Sequence, residues 1–231
     1  MQNKNKKIII AILIGIIPFY AFAAIDKLIN EPNISVHGFF LVYMPIVALA
    51  LFILILLNKF LLKQSIAFYN SKENNLLLDI AVICLLMIGT SFIHISAKLF
   101  FRDFFFTNQN NTKVILVLQE IFENPFLALV FIIPFIWITQ FFLIFSRIFL
   151  LKNLWGISES KIWIWGVIIL SSVLFVLPEL DKGMLDILIS FSVILFFNIT
   201  YLYYQRFYPF LFAAILLQTI QMIDFWITFP K

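Results

Sequence analysis

The chain lacks most of what a soluble protein is built from. Only 12% of its 231 residues are charged, against about 25% in soluble domains. That scarcity excludes a water-facing globular surface and a charge-rich disordered chain alike. One cysteine, Cys84, excludes an internal disulfide scaffold. Six glycines leave no glycine-rich phosphate loop and few close helix crossings of the small-residue kind. The two histidines, His37 and His94, are far apart in sequence, so no local HExxH motif exists. No Ser-His-Asp arrangement is fixed by spacing, and CxxC is absent.

What is present is apolar. Hydrophobic residues make up 63% of the chain, Phe alone occurs 30 times, and mean hydropathy is +1.06. A transmembrane helix needs about 20 apolar residues. The sequence therefore predicts an all-α, polytopic integral membrane protein of about seven spans, a single transmembrane domain over 1–231. The spans are expected at about 8–25, 38–57, 76–97, 125–145, 162–177, 185–204 and 209–226. Residues 98–124 alternate Lys98, Arg102 and Asp103 with five phenylalanines, which predicts a short interfacial amphipathic segment. The start of the chain resembles a secretory signal peptide, with Lys4, Lys6 and Lys7 before an apolar run and Ala21-Phe22-Ala23 after it. We read it as an uncleaved first span. Asn74-Asn75 opens the third span and Asn124-Pro125 the fourth, whose helix could run past Arg147 to Leu151.

The formal charge is +4. Its basic residues lie beside the spans, which speaks for membrane topology and against nucleic acid as a partner. With the N-terminus in the cytoplasm, ten basic residues fall inside and six outside. The positive-inside rule then predicts an inner (plasma) membrane protein with its C-terminus outside. Trp155, Trp163 and Trp165 read as an interfacial belt, as do Tyr201, Tyr203, Tyr204 and Tyr208.

Polar groups inside spans are the informative residues, because each is costly in hydrocarbon without a partner. These are Asp79, Gln140, Asn198, Gln218 and Gln221, with His94, Asp186 and Asp224 nearer the span ends. The plain reading makes them interhelical hydrogen bonds or groups reaching the headgroups. The sharper reading puts His37, His94, Glu179, Asp186 and Asp224 at one outer level, where two imidazoles and carboxylates could take a divalent metal. No other cofactor is implied. The short link from Gln205 to Tyr208 predicts that the last two spans pack as an antiparallel hairpin, bringing Asp186 and Asp224 to similar depth.

The span order from residue 40 to 226 resembles the CPBP family of intramembrane metalloproteases, the CAAX-protease and bacteriocin-immunity group. The stretch Pro125 to Phe145-Ser146-Arg147 lies where that family has paired glutamates and Phe-Arg-Gly. Ser171-Ser172-Val173-Leu174-Phe175 lies where it has Phe-x-x-x-His, and Phe207-Tyr208-Pro209 precedes the helix of its last motif. The residues departing from the pattern are those that carry the chemistry. Phe141 and Phe142, or at best Thr139 and Gln140, stand for the glutamates, Glu179 for one histidine, and Ala214 and Gln218 for the last motif. A metal-activated water cannot be assembled from them. The resemblance implies a degenerate, non-proteolytic relative. The expected function is that of an accessory or assembly subunit of a membrane complex, or an immunity-like protein, with a membrane-protein partner and the lipid bilayer as its contacts. A divergent intramembrane metalloprotease or hydrolase and a small transporter or channel subunit are the alternatives.

Overall fold

The computed structural model describes residues 2–29, 36–70, 75–101, 133–180 and 183–228. Every element among them is helical. The long helices are α1 (Gln2–Ile29), α2 (Val36–Leu56), α3 (Leu76–Phe101), α4 (Ile133–Trp155), α5 (Lys161–Val176), α6 (Met184–Tyr204) and α7 (Phe207–Thr228). Six helical stretches, beginning with Met44–Leu61, are long and apolar enough to cross a membrane. The chain is an all-α polytopic membrane protein. The expected first span lies within α1.

The ends of the helices follow local chemistry. Asn75 caps α3: its Oδ1 accepts from the Leu78 N–H at 3.1 Å. Past α2, a π turn at Leu57–Leu61 and a 3-10 turn at Ile66–Tyr69 fold the connector back against the bundle. Pro178 stops α5 and leads into a 3-10 turn at Leu177–Glu179. Because Pro178 has no N–H, it cannot serve the Leu174 carbonyl one turn back. Tyr20 of α1 does so instead, its hydroxyl donating to Leu174 O at 2.9 Å. Gln205 closes α6 in the left-handed region, at φ 50 and ψ 38, and its N–H returns to Tyr201 O.

Three expectations change. The fourth span ends later than expected: α4 continues past Phe145 and Leu151 to Trp155, so Lys152 as well as Arg147 lies within the helix. A run rich in Leu, Ile and Phe gives no stop signal before Gly156. Residues 98–101 of the expected interfacial segment continue α3, and the rest of that segment, with Asn124-Pro125, lies outside the described residues. Finally, α6 and α7 do not form a packed pair. They part after Gln205-Arg206, and α3 fits against both, with α7 also on α4 and α6 also on α5.

The middle of the bundle is α4, which touches α1, α2, α5 and α7. Its Phe142, Phe145 and Phe149 are fully buried. Phe145 meets Tyr69 and Phe207 edge to face, with centroids 5.5 and 6.0 Å apart. The phenylalanine excess thus supplies the core that glycine scarcity denies to close backbone contact. Among the described residues, Gly89 makes the tightest such approach. A Cβ there would collide with the far end of the Phe196 ring on α6. Gly89→Val is expected to lose about 1–3 kcal/mol by overpacking, and Phe196→Leu in the same chain should restore most of it. Thermal unfolding in detergent measures both.

Candidate functional site

The polar side chains gather at three depths. The first centre lies at the connector end of the bundle, where the α2–α3 connection meets the end of α4 and the α6–α7 turn. Tyr69, fully buried, donates its hydroxyl to Asn58 Oδ1 at 2.7 Å and receives the Asn153 amide at 3.3 Å. Gln64 reaches Asn153 Oδ1 at 3.0 Å, and Asn58 returns to the Gln64 carbonyl at 3.1 Å. Tyr201 donates to the Tyr69 carbonyl at 3.0 Å while its ring stacks on Trp155. Burial pushes the Tyr69 phenol above its ordinary value, so it stays a neutral donor. Beside this relay, Arg206 pairs with Asp79 at 2.8 Å, and Tyr204 donates to the other Asp79 oxygen at 2.7 Å. Asn70 accepts the Phe207 N–H that opens α7. The Lys152 ammonium lies over the Phe68 ring, 4.8 Å from its centroid.

The second centre is a rivet at mid-helix between α5 and α6. Asn198 donates to Ser171 Oγ at 2.9 Å and to Ser172 Oγ at 3.0 Å, and both serine hydroxyls donate to Ile168 O. All three residues are buried. Such bonds average about 0.6 kcal/mol and reach about 1.7. Asn198→Val is expected to lose about 1–2 kcal/mol, since two interhelical bonds go together. SDS titration of the reconstituted protein reads this loss.

The third centre gathers around Glu179. The turn after Pro178 directs its carboxylate inward, where Ser190 of α6 donates to it. Its charge acts on Arg147 of α4, whose guanidinium lies 5.7 Å from the centroid of Phe175. The two opposite charges lie within electrostatic reach of one another, between α4 and the turn after α5. Charged groups at such positions are costly unless they are partnered or reach water.

The residues singled out from the sequence are thus dispersed among these centres and the surface. Asp79 belongs to the connector end, where Arg206 and Tyr204 meet it. Asn198 is the mid-helix rivet. Gln140 Nε2 stands 3.5 Å from Gln218 Oε1, a tie between α4 and α7, and Gln221 is exposed. His94 lies within electrostatic reach of Lys98 and Asp186, which puts these three near one another between α3 and α6. Glu179 belongs with Ser190 and Arg147. Asp224 is exposed near the end of α7, and His37 lies in the first turn of α2, where only its backbone is described. Among the described residues, no three of His, Cys, Asp and Glu are grouped so as to hold a metal ion. At the positions of the CPBP motifs, Phe142 and Ala214 are buried apolar residues.

Sequence reasoning missed Arg206, Tyr69, Asn58 and Asn153. It also misread half of the tyrosine belt: Tyr203 and Tyr208 are exposed, but Tyr201 and Tyr204 are buried. Helical spacing carries the signal, since Asn198, Tyr201 and Gln205 recur on one face at intervals of three and four. Comparison of the chain with protein-family models, with curated proteins and with solved structures finds no match.

Proposed function

We propose that this chain is a non-catalytic membrane protein, an accessory or assembly subunit of a complex in the inner (plasma) membrane. The observation that carries the reading is the use of its polar side chains. Asp79 and Arg206, Asn198 and Ser171, Gln140 and Gln218 are each spent on holding one helix to another. A catalytic centre needs groups left available to substrate, whereas a scaffold needs its helices fixed. The degenerate CPBP-like layout fits the same reading, as an immunity-like relative without the protease chemistry.

Purification of the tagged chain from its native membranes in mild detergent tests it. A partner at constant stoichiometry, retained through a second column and cross-linked to this chain in intact membranes, is the expected result. A single chain in its micelle, with no cross-linked species, overturns the proposal. The Arg147–Glu179 couple supports a second reading, a small transporter, because ionised residues inside spans mark ion pathways. Flux into liposomes that is lost in Glu179→Gln would favour it.

In this reading the connector end faces the cytoplasm. On a Cys84→Ser background, Lys98→Cys is expected to react with an impermeant maleimide in intact cells, and Lys63→Cys only after permeabilisation. Both side chains are exposed. The opposite pattern inverts the topology.

A further inference from the structure

The α5–α6 seam is closed on one side and open on the other. On the interior side, Asn198 ties the helices at mid-depth, and Glu179 meets Ser190 nearer the turn. On the outward side, along the same stretch, lies a cleft of about 360 Å³. Its walls include Val176, Leu177 and Leu180 from the α5 side and Met184, Ile187 and Phe191 from α6. No polar side chain lines it. Val176 is buried at 5% exposure, while Leu180 and Met184 are both 58% exposed. The cleft is therefore continuous with the apolar outer surface of two helices fit to span a membrane.

We propose that this cleft holds one acyl chain of a phospholipid from the leaflet that contains the α5–α6 turn. Water has no hydrogen-bonding partner there, and an empty gap would forfeit dispersion contacts along every wall. The shape selects a chain over a side chain. The lining runs from Val173 to Leu180 and from Met184 to Phe191, about two turns of each helix or roughly 10 Å. A knob from a crossing helix fills a hole made by four residues. A groove running along two antiparallel helices matches a hydrocarbon chain lying along the membrane normal. The seam stays open because Pro178 ends α5 and the turn after it spends Glu179 on the interior side, leaving aliphatic side chains facing outward.

The test uses the full chain in phosphatidylcholine vesicles containing a trace of phosphatidylcholine with a diazirine midway along one acyl chain. After photolysis, adducts are mapped by mass spectrometry. Leu177, Ile187 and Phe191 are expected to carry about five times the adduct per exposed area of Ile88 and Phe92 on α3. That ratio corresponds to a preference of about 1 kcal/mol. Leu177→Trp and Leu180→Trp, at exposed positions on the cleft wall, should fill it and bring labelling down to the α3 level. Equal labelling of cleft and α3 face in the unsubstituted protein overturns the proposal. So does labelling that neither tryptophan changes. Labelling seen in vesicles but blocked in native membranes would assign the cleft to a protein partner and overturn the lipid as occupant.

Discussion

Asp79→Leu is expected to lose about 3–5 kcal/mol of folding stability, because it leaves a charged arginine in the protein without its carboxylate. Arg206 is 4% exposed, and its guanidinium meets Asp79 at 2.8 Å. The aspartate also accepts from Tyr204, so both of its oxygens are engaged. Three elements are joined by this contact: the first turn of α3, the last turn of α6 and the turn before α7. Since α6 and α7 pack little on one another, the pair does much to hold their shared turn onto α3. The double variant Asp79→Leu with Arg206→Met should recover most of the loss, as apolar replacement of buried ion pairs often does. Unfolding of the three proteins in mixed micelles measures the cycle. A loss below about 0.5 kcal/mol in Asp79→Leu would mean that headgroups and water already solvate Arg206.

That contact also shows where the sequence stops being legible. The helices can be read because each is a long apolar run, and hydrocarbon leaves the backbone no other way to bond. Their breaks can be read where Asn75 caps or Pro178 interrupts. The ion pair could not be read, because its partners are more than a hundred residues apart and one of them sits in a two-residue turn. The same holds for Tyr69, which bonds Asn58 locally but Asn153 and Tyr201 across the bundle. From sequence, Asn58, Gln64 and Asn70 look like ordinary connector residues, and Tyr201 and Tyr204 look like interfacial tyrosines. Only the folding of the connector back against α4 turns them into a buried network. His94 lies within electrostatic reach of Asp186, while Glu179 meets Ser190 at the turn after Pro178, a local arrangement that composition and topology do not reveal.

Glu179→Leu is expected to have the second large effect, about 1–3 kcal/mol, because it removes the acceptor of the Ser190 hydroxyl and the charge that opposes Arg147. Arg147 stands eight residues before the end of α4, about 12 Å along the axis. Its guanidinium rests near the Phe175 ring, and Glu179 supplies an opposing charge. An aromatic face alone offsets about 0.5–2 kcal/mol, which does not replace a carboxylate. Glu179→Gln separates the two contributions. The amide can still accept the Ser190 hydroxyl but carries no charge, so its loss should fall between zero and that of the leucine variant. Arg147→Met in the Glu179→Leu background should regain most of the stability. A coupling of at least about 1 kcal/mol in this cycle is expected for groups that interact directly. If the two losses simply add, Arg147 and Glu179 act separately. The intramembrane couple would then be no more than two polar residues at neighbouring depths, and the transporter reading would lose its support.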